Sequence, residues 1–216
     1  MARTPFRFGA FMPGHERSDL AWCAIDGQLI FLDLVSDRYF RLPDAQNRSA
    51  IKDYDPRGQG LQGQPAALPL PLDWQEPVRS SPAIAEGPFH LAEVARALWT
   101  QRRAERWLAH RPFSSVLFDL RRTLERRCAN GFADADAAAR TIRAFEHARL
   151  LRSTADRCLP RSIALTLCLA ARGMRAHVVI GVKLAPFGAH AWAQTGDHVL
   201  GDSAEEVLRY SPILIV

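Results

Sequence analysis

Lysine is nearly absent from this 216-residue chain: Lys52 and Lys183 are the only two, so arginine carries the positive side of a formal net charge of +5. Arginine enrichment of this kind is either compositional bias or a basic surface for an acidic peptide or partner; nucleic acid is not expected. Long apolar runs are also missing. Nothing approaches the ~18 consecutive apolar residues of a membrane span. The opening Met1-Ala-Arg-Thr-Pro-Phe-Arg-Phe lacks the apolar stretch of a secretory signal, and no membrane association is expected. Cysteine is sparse, at positions 23, 128, 158 and 168, with no CxxC pair. Neither these nor His177, His190 and His198 have metal-ligand spacing, so a reducing cytoplasm without a metal or other bound cofactor is the expectation. No internal repeat is visible.

What is present divides the chain in three. Leu20–Ile25, Gln28–Leu34 and Arg38–Leu42 alternate as strands and are separated by Asp26-Gly27 and Ser36-Asp37, which predicts an antiparallel meander within residues 1–52. Residues 53–88 hold seven of the fourteen prolines, with Gly58, Gly60 and Gly63, and read as a linker without regular structure. From Phe89 the apolar spacing becomes helical. Leu91, Val94, Ala95, Leu98 and Trp99 share a face; a second helix runs from Ser114 to Cys128, capped by Asn130-Gly131; a third starts at Asp134 and reaches about Leu151. A fourth, apolar nearly all round, follows Cys158 and stops at Gly173. Ala176–Leu184 is a strand, and Ala189–Asp202 a hairpin turning at Gly196-Asp197. The fold class is therefore α+β: a small N-terminal meander, then at 89–216 a helical bundle with a C-terminal antiparallel sheet.

Cys158, His190 and Asp202 are the candidate catalytic residues. Pro160 marks a helix start, because proline is tolerated where helix N–H groups have no partner; with Asp156 as N-cap, Cys158 would lie two residues inside. There the helix dipole favours thiolate, the nucleophilic form. A cysteine at a helix start with histidine and acid on neighbouring strands is the layout of papain-like and transglutaminase-like enzymes. Asp202, rather than the turn residue Asp197, returns to the level of His190. A carboxylate there can accept the Nδ1–H bond that orients the imidazole. One condition attaches: a two-residue loop puts Asp202 on the opposite face, so a bulge or odd loop is needed. The competing reading is a buried structural cysteine and an ordinary surface histidine. Trp192 either shields the pair or packs in the core; His177 lies near the site or is a buried structural histidine; Cys168 reads as core.

The segments Cys158-Leu-Pro-Arg-Ser162, Ala176-His-Val-Val-Ile-Gly-Val-Lys-Leu-Ala-Pro-Phe-Gly-Ala-His190-Ala-Trp192 and Val199-Leu-Gly-Asp202 closely resemble the lasso-peptide maturation B proteins, which are transglutaminase-like cysteine peptidases. Gly201 departs from that pattern, which has asparagine before an aspartate or similar acid. Leu29–Ala45 looks like the first strands of a precursor-recognition domain, here fused and degenerate. The resemblance implies removal of a leader from a ribosomally made lasso-peptide precursor by Cys158, His190 and Asp202. A separate asparagine-synthetase-like cyclase would then close the core peptide, and any need for ATP would enter through that partner. Leader residues would add to the free edge of the meander, with Tyr39 and Phe40 either as anchors or packed against the helical domain, and Arg38 and Arg41 either meeting acidic side chains or forming a solvated face. A leader-binding adaptor without activity, or an acyltransferase with the same triad, are the alternatives.

Overall fold

The computed structural model describes residues 19–80, 88–128, 134–151 and 157–216. β1 (Leu20–Ile25), β2 (Gln28–Asp33) and β3 (Arg38–Arg41) form the meander that the alternation predicts. Asp26 and Gly27 both take positive φ (49° and 73°), which a two-residue turn between twisted strands requires. The period of two sorts the side chains. Ala21, Cys23, Ile30 and Leu32 face the body of the protein, whereas Ala24, Leu29 and Phe31 face α1 (Asp44–Tyr54). Asn47 ties this helix to the first turn: its side chain accepts from the Leu29 N–H at 2.9 Å and donates to the Gly27 carbonyl at 2.8 Å.

The proline-rich stretch is not the structureless linker that its composition predicts. Its described part lies across the molecule as a strap. β4 (Gln62–Gly63) pairs with β1, and β5 (Arg79–Ser80) pairs in parallel with a strand of the second sheet. Leu68 is buried, Arg121 donates to the Pro69 carbonyl, and the Gln64 side chain accepts from the Ile215 N–H at 3.1 Å. Proline forbids long ladders but not two-residue pairings or side-chain packing, so composition alone overstated the disorder. The buried core likewise crosses the boundary drawn from sequence: Ala21, Ile30, Leu32 and Leu34 pack in one cluster with Leu117, Leu169 and Ile180.

Four helices follow: α2 (Leu91–His110), α3 (Phe113–Cys128), α4 (Ala135–Leu151) and α5 (Cys158–Ala170). Asp134 caps α4, its carboxylate accepting from the Ala137 N–H at 2.9 Å. The caps expected at Asn130-Gly131 and Asp156 lie outside the described residues. β6 (His177–Lys183), β7 (Gly188–Thr195), β8 (His198–Leu200), the short α6 (Ala204–Val207) and β9 (Ser211–Ile215) complete the chain. The second sheet has the order β5-β8-β7-β6-β9, antiparallel apart from β5. β9 was not anticipated, although the run Ile213-Leu-Ile-Val216 carries the β-branched signal for it. Val178, Ile180, Val182, Ala191 and Ala193 face the helices; Val179 and Trp192, on the other face, pack with Val199, Val207 and Ile215. The architecture is α+β. Among the described residues no helix is long and apolar enough to cross a membrane.

Candidate active site

The site forms where the β7–β8 hairpin comes apart. Ala193 pairs with Leu200 and Thr195 with His198 across the two-residue turn Gly196-Asp197. Continued in step, that ladder would set Asp202 opposite Ala191, facing the helices and turned away from His190. It does not continue. Gly201 adopts a left-handed φ of 70°, which peels the chain off the sheet. Asp202 swings round, and His190 Nε2 donates to its Oδ2 at 2.7 Å. The condition attached to Asp202 is met by a glycine at the strand end, not by an odd loop. The bond also uses Nε2 where Nδ1 was expected.

β8 is only three residues long, so the edge of β7 from Gly188 to Trp192 is left free for the start of α5. Ala191 presents its outward N–H and C=O there. The N–H bonds the Cys158 sulfur, and the C=O accepts from Ser162 Oγ at 3.0 Å. Ser162 Oγ also lies 2.8 Å from the Cys158 carbonyl, so one hydroxyl joins the Cys158 turn of helix to the His190 strand. Arg157 is the N-cap and makes no side-chain cap bond, which puts Cys158 at the first helical position, one earlier than expected. Pro160 stays within the first turn, where its missing N–H costs nothing. His190 hydrogen-bonds the Cys158 sulfur as well as Asp202, so both ring nitrogens are engaged.

The charges follow from these contacts. Burial alone would push the Cys158 thiol up. The hydrogen bond and charge of His190, with the Ala191 and Leu159 N–H groups, outweigh it and hold the thiol below its ordinary value. Burial would lower the His190 pKa, but the hydrogen bonds to Asp202 and Cys158 raise it to about 9. Asp202 is kept below the usual carboxylate value, against its burial, by His190, the Ser203 N–H and the nearby Arg161. Arg161 is itself held by Glu146 at 2.8 Å. A cleft of about 340 Å³ opens over Cys158, His190 and Asp202, with Arg149, Arg157 and Gln101 on its walls. The arrangement can hold a thiolate beside an imidazolium with an extended chain lying in the cleft.

Other expected residues fall elsewhere. Trp192 is 1% exposed and stacks at 6.1 Å from the His190 ring, so it is at once core and a wall of the site. Its indole N–H donates to Gln194, which in turn donates to the carbonyls of Gln75 in the strap and Gly196 in the turn. His177 is not near the cleft. It lies four residues along β6 from Gly181, the partner of His190, or ~13 Å at a strand rise of ~3.3 Å per residue. There it meets Asp73 of the strap at 3.2 Å. Asp197 is a turn residue engaged with Arg79 and His198. Cys23 and Cys168 are buried, and burial pushes the Cys23 thiol up to about 12.

Nor are Tyr39 and Phe40 free anchors. β3 is covered on both faces. Phe40 stacks on Phe31 at 5.1 Å, and Tyr39 packs against the core with its ring 5.8 Å from Phe187. Burial, then Asp37 and Cys158, push the Tyr39 phenol up, so this part of the meander reaches the neighbourhood of Cys158. Arg38 and Arg41 are exposed at the ends of the strand.

Comparison with known proteins agrees with the geometry. Residues 108–215, half of the chain and including Cys158, His190 and Asp202, match the transglutaminase-like superfamily, and the chain belongs to it. The microcin J25-processing protein McjB of Escherichia coli is 44% identical over 46 residues, which is 21% of this chain and 22% of that protein's length. The chain thus aligns with about a fifth of this relative. Both findings support the resemblance to the lasso-peptide maturation B proteins. No solved structure matches.

Proposed function

We propose that the protein is a cysteine peptidase that removes the leader from a ribosomally made lasso-peptide precursor. The observation that carries the chemistry is the chain of contacts Cys158–His190–Asp202, with the thiol held down and the imidazole held up. The thiolate attacks the scissile carbonyl, forming the C–S bond. Negative charge on that oxygen is met by the Cys158 N–H, which as the first in α5 has no intrahelical partner. His190 gives its proton to the departing amine, leaving a thioester on the leader. Water then attacks with His190 as base, releasing the leader as a carboxylate and restoring the thiol. The family resemblance and the partial match to a microcin J25-processing protein support the substrate class. Freed core peptide would pass to a separate ATP-dependent cyclase. The outer edge of β3, the terminal strand of the first sheet among the described residues, suits an added leader strand. Recognition would then use its backbone and Arg38 and Arg41, not the two packed rings.

The test is a precursor-cleavage assay with the full chain, alone and with its cyclase, read by mass. Wild type should release leader with one added water, whereas transfer to an amine would mark an acyltransferase. Cys158→Ala should fold and release none; equal activity of the two would end the reading.

A further inference from the structure

The face of the second sheet that carries His190 also carries an aromatic residue with no part in the steps above. Tyr210 stands one residue before β9, and the register that pairs Ser211 with Val182 sets it beside Lys183. Its ring lies 5.2 Å from the His190 ring, tilted by 40°. Gly181, the partner of His190 on β6, makes the room: a Cβ there would come within 2.9 Å of Tyr210 Cβ and 2.8 Å of the Trp192 ring. The Lys183 ammonium sits 4.8 Å from the centre of the Tyr210 ring. Two aromatic rings and a missing side chain thus define the space in which the imidazole can turn.

We propose that Tyr210 is a positioning residue for the Cys158–His190 pair, its ring fixing the rotation of the imidazole and its π face favouring the imidazolium. The proposal rests on the peptidase reading above. An imidazole attached at its χ2 bond has a broad, roughly two-fold torsion, which hydrogen bonds to Asp202 and Cys158 restrain without removing all rocking. A flat ring packed against it narrows that motion. A cation close to an aromatic face is also stabilised by the ring quadrupole, and more strongly where water is excluded. The phenol hydroxyl has no part in this, so phenylalanine should serve as well.

The experiment needs no substrate. The purified full-length protein is treated with iodoacetamide across a pH series, and alkylation of Cys158 is followed by peptide mass mapping. In wild type the rate should show one inflection below the ordinary thiol value, as the ion pair forms. A second should fall near pH 9, as His190 loses its proton. Tyr210→Phe should overlay wild type. Tyr210→Leu and Tyr210→Met should move the upper inflection down by about half a pH unit, and the lower one up. If Tyr210→Leu loses its fold by circular dichroism, Tyr210→Met, an adaptable side chain, decides. Unmoved inflections in a folded variant overturn the inference and leave the peptidase reading standing. A wild-type Cys158 that titrates as an ordinary isolated thiol overturns both.

Discussion

Two ends of one sheet face each carry a histidine bonded to an aspartate, His190 part-buried and His177 buried, and they behave in opposite ways. At one end His190 donates to Asp202 at 2.7 Å and its pKa rises to about 9. At the other His177 meets Asp73 at 3.2 Å and its pKa falls. Burial lowers both. The partners differ. Asp202 is 25% exposed and backed by the Ser203 N–H, while Asp73 is 46% exposed and shared with Arg175, whose charge also opposes a second cation. The second nitrogen of His190 also has the Cys158 sulfur, an acceptor that becomes an anion; His177 bonds the Val216 backbone instead. A histidine–carboxylate pair inside a protein is therefore as readily a fastening as a proton shuttle. What turns it into the latter is an ionisable partner on the far side of the ring.

The sharpest way to break this comparison is to make the same change at both ends. His190→Gln should lower turnover by roughly 10³-fold or more, because the proposed general acid and base is lost, while leaving the fold in place. His177→Gln should reverse the pattern. Turnover should stay within a few-fold of wild type, and stability should fall by about 0.5–1.5 kcal/mol as the strap loses this half-exposed contact. Denaturant melts run beside the cleavage assay give both answers. Similar losses of activity from the two variants would mean that the strap, not the triad, limits the reaction.

Much of this was legible in the residues. The meander, the helices, the order Cys158, His190, Asp202 and the turn at Gly196-Asp197 all follow from local pattern. Local pattern could not say how Asp202 reaches His190, since in-step pairing puts them on opposite faces. The answer lay in Gly201, which matters for its backbone and not for a side chain. The strap was hidden for the opposite reason: seven prolines in 53–88 signal irregularity but say nothing about what Leu68, Asp73 or Trp74 pack against. Whether Tyr39 and Phe40 are anchors or packed rings stays open in the residues, because alternation marks faces without saying that both are covered.

Gly201 gives the next test. At φ 70° any side chain costs ~1–2 kcal/mol, and a Cβ would stand 3.0 Å from Glu146 Oε1 and 3.1 Å from Arg161 Nη2. Gly201→Ala should therefore shift Asp202, and a displacement of ~1 Å in a catalytic group can cost ~10²-fold. A loss of kcat of roughly 10- to 100-fold is expected. Gly201→Asn should be milder, because asparagine tolerates the left-handed region better than alanine. An alanine variant as active as wild type would show that Asp202 does not need this turn.

The smallest effect is expected at Ser162. It touches neither the carbonyl under attack nor the leaving group, so its hydroxyl contributes only by joining α5 to β7. Ser162→Ala deletes the bond to the Ala191 carbonyl at 3.0 Å and the one to the Cys158 carbonyl at 2.8 Å. The second is a minor loss, since a helical carbonyl has other donors. The first leaves an edge carbonyl of β7 facing the helix without that donor, at a cost of ~1–3 kcal/mol. The Cys158 sulfur and the Ala191 N–H are then held together by their own contact alone, and the helix start can drift from the strand. A fall in kcat of about 3- to 10-fold is expected, with KM little changed because the cleft walls are intact. Ser162→Thr keeps the hydroxyl and should recover most of the rate where its extra methyl fits. Loss of stability without loss of rate in Ser162→Ala would show that the ion pair holds its own geometry. The hydroxyl would then serve the fold of the second sheet only, as Asp73 does at the other end.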